Sequence, residues 1–212
     1  MILNYWQASW PLQSCCPCDL HFIDYLNEAG VRDKVIFHFG SGEHHILGKT
    51  NLEAAVPNEI LAITASRQEH QTYIDFIIDN PLAAKTYKVL FGDIYTLTPR
   101  ILPELDLVTL FHLCEFYDER TARYAELDDY SLVTLFVSKL NPGGKVLFYK
   151  GSSHFSRCRE IVDTIAAEGG LVPMDDYKSL LVYGLPSISP STDPVRDRGN
   201  DAWTGNRVTI VK

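Results

Sequence analysis

Four apolar segments of strand length recur along the first half of the chain, and helix-compatible segments separate them. The segments are KVIFHFG (34–40), EILAITAS (59–66), YKVLFGD (87–93) and LDLVTLFHL (105–113). Apolar runs this short are typical of strands that are buried on both faces of a sheet. Strands that alternate with helices form right-handed crossover units and a mostly parallel sheet. The pattern therefore predicts an α/β fold.

Three further strands are predicted in the second half of the chain. The segment GKVLFYKG (144–151) follows the turn NPGG and forms the fifth strand. The segment 169–185 contains two closing strands, joined near Asp175 and Asp176. The predicted sheet thus has seven strands.

Helical periodicity separates these strands. Helices are predicted at 19–29, 66–80, 129–140 and 156–168. Asp19 is the expected N-cap of the first helix and Gly30 its stop. In the second helix Tyr73, Phe76 and Ile77 share one face, which is expected to pack against the sheet.

Length and composition indicate one domain with a polar tail. The chain has 212 residues, of which 46% are hydrophobic, and this is enough for one full core. Residues 1–185 are expected to form a single domain with an N-terminal helical lead-in. Residues 186–212 are expected to form an extended or mobile tail, because most of this segment is rich in Pro, Ser, Asp and Gly. Its end, 207–212, could add an edge strand.

The charge distribution argues against nucleic acid and membrane partners. The formal net charge is -8, and no long run of Lys or Arg provides a footprint for a phosphate backbone. No apolar stretch approaches the roughly 20 residues that cross a bilayer, and the first residues lack the pattern of a signal peptide. We therefore expect a cytoplasmic protein.

A glycine turn follows the first predicted strand. His38, Gly40, Gly42 and His44 alternate with other residues in HFGSGEH. Glycines at such a turn let backbone amides approach a cofactor closely. The alternative is a tight connection between strand and helix that binds no ligand, since a short glycine pattern is not specific.

The order of the seven strands, the glycine turn after the first and LNPGGKVLFYKGS at the fifth resemble the class I S-adenosylmethionine-dependent methyltransferases over residues 19–185. The resemblance implies a Rossmann-like methyltransferase fold: a doubly wound, mostly parallel seven-stranded sheet with helices on both faces. It also implies S-adenosylmethionine as the cofactor.

Three positions of the resemblance concern that cofactor. The family usually has an acid where this chain has His38, while Gly40 and Gly42 match. Thr64, followed by Ser66, stands where an acid commonly binds the ribose, and a neutral hydroxyl there would weaken binding by about 1 to 2 kcal/mol.

The third position matches the family pattern. In FGDIY, the resemblance implies that Asp93 accepts a hydrogen bond from the adenine amino group and that Ile94 packs on the ring. Asp93 could instead cap the following turn.

Candidate catalytic residues follow the fourth and fifth strands, because ligands of doubly wound sheets bind beyond the carboxyl ends of the strands. His112 or Glu115 is the candidate general base. Lys150 is a candidate ligand for an anion or carboxylate, although a lysine here could equally extend to solvent.

Cysteines cluster near the N-terminus. Cys15, Cys16 and Cys18 precede His21 in SCCPCDLH. Neighbouring cysteines point apart, and no second Cys/His pair with the spacing of a structural zinc site follows. The sequence therefore predicts no bound metal.

Three functions remain compatible with these patterns. The leading one is an S-adenosylmethionine-dependent methyltransferase that acts on a small molecule. The second is a protein with the same fold that has lost catalysis and binds a ligand or partner, which the replaced acids favour. The third is another enzyme, a lyase or synthase, that uses S-adenosylmethionine on this scaffold.

Overall fold

A computed structural model describes residues 6–13 and 16–186. Cys15 lies outside the described residues, and so do the predicted tail beyond residue 186 and the predicted edge strand at 207–212. The account below concerns the described part of the chain.

Seven strands form one sheet in the order β3-β2-β1-β4-β5-β7-β6. Their bounds are β1 Val35–Phe39, β2 Glu59–Thr64, β3 Tyr87–Phe91, β4 Leu105–Thr109, β5 Leu140–Tyr149, β6 Val172–Tyr177 and β7 Leu180–Gly184. The first five pair in parallel, whereas β7 pairs antiparallel with both β5 and β6. The predicted doubly wound, mostly parallel sheet is confirmed.

Five α-helices cover the sheet. They are α1 Cys18–Glu28, α2 Ile46–Leu52, α3 Arg67–Asp79, α4 Asp129–Val137 and α5 Phe155–Ala167, and short 3-10 helices occupy 81–85, 94–96, 99–101 and 121–123. The helix α2 was not predicted. In the described part of the chain, every helix is too short or too polar to span a bilayer.

Two hydrophobic cores lie on opposite faces of the sheet. Ile36 of β1 packs with α1, α2 and α3, whereas its neighbour Phe37 packs with α4 and α5. Successive residues of a strand point to opposite faces, so an unbroken apolar run supplies both cores. Phe76 is buried in the first core, with Tyr73 and Ile77 packed against it, which confirms the face predicted for α3.

Two local predictions were wrong. The helix α1 begins at Cys18 after Pro17, so Asp19 lies in the first turn and is not the N-cap. The closing hairpin turns at residues 178–179, where Lys178 has a φ of 52°, while Asp175 and Asp176 lie within β6. Tertiary contacts explain both differences. Asp19 contacts His38 of β1, and the pairing with β7 extends β6 through Asp175 and Asp176.

Candidate functional site

A cavity of about 160 Å³ lies at the carboxyl ends of the central strands. The strand order reverses between β1 and β4, and ligands of doubly wound sheets bind at such a switch point. Its wall includes residues from the loops after β1, β2, β3 and β4 and from the N-terminal segment. They include Trp6, Trp10, Cys16, Cys18, Asp19, His38, Gly40, Gly42, Thr64, Ser66, Glu69, Asp93, Ile94, His112, Glu115 and Phe116.

Both glycines of the turn after β1 have a positive φ, 89° at Gly40 and 54° at Gly42. A Cβ atom added at Gly40 would meet no atom within 4 Å, so this position leaves open space beside the backbone. A Cβ atom at Gly42 would lie 2.3 Å from Nε2 of His44. Glycine is therefore required at both positions, at Gly40 for the backbone conformation and at Gly42 also for the packing of the imidazole.

His38 is buried at the end of β1. Its Nδ1 lies 2.7 Å from the Thr109 hydroxyl, and its Nε2 lies 3.5 Å from Oδ1 of Asp19. Burial, aided by the charge of His112, lowers the pKa of His38 to about 3, so the ring is neutral at pH 7. His38 thus provides no charge at the position where an acid was expected.

Asp19 brings a carboxylate to this place from α1. Its Oδ1 faces His38, and its Oδ2 lies 3.5 Å from Nε2 of His44. Burial raises the pKa of Asp19 to about 6, although the nearby His44 and His112 act in the opposite direction. The sequence-based prediction missed this role because the position of Asp19 suggested a helix cap.

Glu69 is a second carboxylate that the sequence-based prediction missed. The Thr64 hydroxyl donates to its Oε2 at 2.6 Å, and the backbone N–H of Trp10 donates to its Oε1 at 3.1 Å. Burial raises the pKa of Glu69, and these two hydrogen bonds oppose the shift. Glu69 therefore places a carboxylate beside Thr64, the position at the end of β2 where the resemblance implies an acid.

Ser66 holds the start of α3. Its hydroxyl accepts from the Glu69 N–H at 3.3 Å and donates to the carbonyl of Ala8 at 2.7 Å. The spacing of Ser66 and Glu69 is that of a capping box, which points the third helical side chain back toward the helix start. This spacing is the sequence signal from which the position of Glu69 at the start of α3 could have been predicted.

Asp93 and Ile94 both line the cavity, but the Asp93 carboxylate is already engaged. Its Oδ1 accepts from the Tyr95 N–H at 3.0 Å and caps the short 3-10 helix, while the Tyr124 hydroxyl donates to Oδ2. The capping alternative is thus realised. Ile94 is 2% exposed and provides an apolar surface next to it.

His112 and Glu115 lie together after β4. The Nδ1 atom of His112 is 3.1 Å from Oε2 of Glu115, and the Ser152 hydroxyl donates to Oε1 at 2.5 Å. Burial favours a neutral imidazole, but hydrogen bonds with Cys16 and Glu115 outweigh it and raise the pKa of His112 to about 10. For Glu115, the hydrogen bonds and charge of His112 outweigh burial and lower the pKa. The two side chains therefore form an ion pair at pH 7.

Cys16 and Cys18 reach this wall from the N-terminal lead-in. Their Sγ atoms are 3.7 Å apart, and each lies 3.9 Å from Nε2 of His112. Hydrogen bonds with Cys18 and His112 lower the pKa of Cys16 to about 4. His21 points elsewhere, with its Nδ1 2.6 Å from the Ser179 hydroxyl.

Lys150 is not brought to the cavity. Its ammonium group contacts the carboxylate of Asp176 on β6, and its backbone N–H donates to the carbonyl of Ser179. The antiparallel hairpin of β6 and β7 thus engages the lysine beside the sheet. Within the described residues, Lys150 is absent from the cavity wall.

An aromatic wall closes the other side of the cavity. It consists of Trp6, Trp10 and Phe116, with ring centroids 5.3 Å apart for Trp6 and Phe116 and 5.8 Å apart for Trp10 and Phe116. The N–H of Trp6 donates to the carbonyl of Ala65, and the carbonyl of Trp10 accepts from Glu43. Residues 6–13 therefore cross the ends of the strands and are anchored on two loops.

No protein-family model matches the sequence, and no curated protein matches it significantly. Solved structures do match the fold. Magnesium protoporphyrin IX methyltransferase from Synechocystis PCC 6803, solved with bound S-adenosylmethionine, has a TM-score of 0.56 at 9% identity, covering 84% of this chain and 86% of that one. Precorrin-6y C5,15-methyltransferase from Geobacter metallireducens has a TM-score of 0.52 at 10% identity, covering 85% and 91%.

A third similar structure has a different named activity. Precorrin 8w decarboxylase from Methanobacterium thermoautotrophicum has a TM-score of 0.53 at 12% identity, covering 87% of this chain and 99% of that one. At these identities the comparisons show the fold alone. The chain has the fold of the class I S-adenosylmethionine-dependent methyltransferases, and its chemistry has to be argued from its own cavity.

Proposed function

We propose that the protein is an S-adenosylmethionine-dependent methyltransferase that acts on a small molecule. The observation that carries the proposal is the single cavity wall at the switch point, which joins the glycine turn of Gly40 and Gly42 to His112 and Glu115. One side of the cavity suits a nucleoside cofactor, and the other presents ionisable groups to an acceptor. The similar fold of structures named as methyltransferases supports it.

The residues at the cofactor side fit S-adenosylmethionine. Gly40 leaves open space beside a backbone that a ligand can approach, and Ile94 contributes an apolar side chain to the cavity lining, next to which a ring could pack. Asp19 and Glu69 supply carboxylates next to His38 and Thr64, where the sequence lacks them. Hydrogen bonds that cationic or hydroxyl groups donate to carboxylates are stronger than bonds between neutral groups, so these two acids offset the expected loss of affinity.

The cofactor, when bound, supplies an electrophilic methyl group on a sulfonium. The protein has to align the acceptor and remove its proton where it carries one. We assign the proton acceptor to Glu115, because its carboxylate lies in the cavity wall. Both nitrogens of His112 face other groups, Nδ1 the Glu115 carboxylate and Nε2 the thiols of Cys16 and Cys18. Ser152 and His112 hold the carboxylate in place.

A small acceptor follows from the aromatic wall and the charge. Trp6 and Trp10 cross the strand ends and narrow the cavity, and their rings favour an acceptor with an apolar or aromatic part. The net charge of -8 disfavours a nucleic acid.

Calorimetry with S-adenosylhomocysteine tests the cofactor site. Wild type is expected to bind, and Glu69→Gln to bind about tenfold more weakly, because a neutral amide replaces a charge-assisted acceptor. The control is Glu104→Gln, which removes an exposed acid paired with Lys139. If wild type gives no heat at millimolar ligand, the enzyme proposal fails, and a binding protein without this cofactor remains.

Turnover is tested separately. Metabolite extracts are incubated with protein and methyl-labelled S-adenosylmethionine, and a labelled product identifies the acceptor. Glu115→Gln should then lower the single-turnover rate about 100-fold or more while S-adenosylhomocysteine affinity stays nearly unchanged. Full activity in this variant would contradict the assignment and leave alignment alone as the source of catalysis.

A further inference from the structure

We infer that Cys16, Cys18 and His112 bind one zinc ion in the wall of the cavity, in a site with three protein ligands and an open fourth position. In the part of the chain that the structure describes, these three residues form the group of side chains whose ligand atoms all lie within 4.8 Å of one another. The inference does not rest on the proposed methyltransferase activity, because zinc binding is measured without substrate or cofactor.

The distances match a tetrahedral ion. Zn–S bonds of about 2.3 Å and a Zn–N bond of about 2.0 Å separate two sulfur ligands by about 3.8 Å, and sulfur from nitrogen by about 3.5 Å. The sulfur atoms of Cys16 and Cys18 are 3.7 Å apart, and both lie 3.9 Å from Nε2 of His112. A shift of a few tenths of an ångström closes the site.

The second nitrogen of His112 supports the same conclusion. Its Nδ1 faces Oε2 of Glu115 at 3.1 Å, so the carboxylate accepts the N–H of Nδ1, and a metal that binds Nε2 displaces the proton there. Imidazoles that ligate metals almost always donate their other N–H to such a partner. The Ser152 hydroxyl in turn holds Glu115 at 2.5 Å, which completes a chain of orienting contacts.

Two of the ligands come from the ends of regular elements. Cys18 is the first residue of α1 and is 5% exposed, and Cys16 lies two residues before it. His112 follows β4 in the centre of the sheet. Two thiolates and one imidazole favour Zn²⁺ over Mg²⁺ or Ca²⁺, which prefer oxygen ligands.

The fourth position opens toward the cavity that these ligands line. Asp19 stands next to it, with Oδ1 3.7 Å from Sγ of Cys18, but its two oxygens face His38 and His44. A water molecule is therefore assigned to the fourth position. Sites with three protein ligands and one exchangeable ligand are typical of zinc that takes part in catalysis.

Elemental analysis of untagged protein, purified under reducing conditions, tests the inference. About one equivalent of zinc per chain is expected after dialysis. Cys16→Ser and Cys18→Ser should lose it, whereas the control Cys158→Ala should retain it, because Cys158 is buried in α5 among other side chains. Glu115→Gln should weaken zinc affinity about 10-fold to 100-fold. Circular dichroism of each variant separates loss of zinc from loss of folding.

A measurement on wild type alone keeps the test decisive if the cysteine variants do not fold. Metal-free, reduced protein is titrated with Co²⁺, and absorption bands of thiolate-bound tetrahedral cobalt that zinc then abolishes support the site. If wild type shows neither zinc nor these bands, or if mass spectrometry finds Cys16 and Cys18 joined in a disulfide in the isolated protein, the inference is wrong.

Discussion

Two carboxylates, the partly buried Asp19 and the buried Glu69, line the cavity beside His38 and Thr64, the positions where the resemblance implies acids. A buried carboxylate is costly unless hydrogen bonds compensate for lost hydration. Glu69 receives such bonds from Thr64 and Trp10, and yet burial still raises its pKa. Perturbed acids in a cavity are typical of functional sites, since a ligand can complete their solvation.

Gly40 gives the sharpest test at the residue scale. Gly40→Ala places a methyl group in the open space of the cavity at a φ of 89°. We expect S-adenosylhomocysteine affinity to fall at least tenfold by calorimetry, because the backbone can no longer approach the ligand. The matched control is Gly143→Ala, which has a φ of 80° and equally open space at an exposed position in β5. Each variant should lose about 1 to 2 kcal/mol of stability. Equal affinities in the two would contradict the cofactor site.

His45 makes stability depend on pH. Burial lowers its pKa to about 4 despite a hydrogen bond to the Glu69 carbonyl, and the Tyr87 hydroxyl faces its other nitrogen. The unfolded chain takes up a proton below pH 6.5 and the folded chain only near pH 4, so this residue makes stability fall as pH drops through that window.

His45→Asn removes the titrating group, and Asn tolerates the left-handed backbone, φ 46°, at this position. The variant should have a lower free energy of unfolding than wild type at pH 7.5. Between pH 6.5 and pH 4, however, its free energy of unfolding should fall by about 2 to 3 kcal/mol less than that of wild type. Urea unfolding at several pH values measures this difference. Parallel profiles for the two proteins would show that His45 does not contribute.

At the scale of elements, α1 and α4 begin in contrasting ways. Asp128 caps α4 in a capping box: its carboxylate accepts from the Ser131 N–H, and the Ser131 hydroxyl accepts from the Asp128 N–H. In the described part of the chain, no side chain caps α1 after Pro17. Cys18 and Asp19 in its first turn face the cavity instead. The first turn of α4 thus stabilises its helix through the cap, whereas the first turn of α1 contributes side chains to the cavity wall.

Asp128→Ala should lower the free energy of unfolding by about 0.5 to 2 kcal/mol, because a backbone N–H of the first turn loses its partner. Glu104→Ala provides the comparison, since Glu104 is exposed and pairs with Lys139 at the surface. Its effect should stay below about 0.5 kcal/mol. Denaturant unfolding measures both. A capping variant as stable as wild type would mean that water replaces the cap without loss.

At the scale of the whole molecule, the switch point gathers residues from the N-terminal segment and from the loops after four strands. The strand order separates β2 and β3 from β4 and β5, so the loops after these strands diverge and leave a crevice between β1 and β4. Residues 6–13 then cross this crevice, and their tryptophans form part of its wall. The arrangement makes one cavity from segments that lie far apart in sequence.

The net charge of -8 carries a prediction for the whole molecule. Neither transfer RNA nor duplex DNA should be retained by the protein at physiological salt, because the sequence has a net negative charge and no long run of Lys or Arg that would release counterions from a phosphate backbone. Fluorescence anisotropy with labelled RNA and DNA measures this. Micromolar binding that weakens linearly with the logarithm of salt concentration would overturn the proposal of a small acceptor.

The sequence by itself determined the seven strands, the larger helices and the glycine turn. These features are local: an unbroken apolar run covers both faces of a strand, a 3.6-residue period covers one face of a helix, and glycine permits a positive φ at Gly40 and Gly42. The alternation of strands and helices then predicts right-handed crossover connections, because the handedness of such connections follows from backbone chirality. Each of these signals lies within a few consecutive residues and can therefore be recognised without the fold.

Only the tertiary structure decided which side chains meet in the cavity. His112 lies 94 residues after Cys18, yet their ligand atoms are 3.9 Å apart, and Lys150, a strand-end residue like His112, is engaged by Asp176 instead. Asp19 and Glu69 reach the cavity from helices whose rotation about their axes is set by packing against the sheet. Such contacts depend on how distant elements pack, and local periodicity contains no record of it.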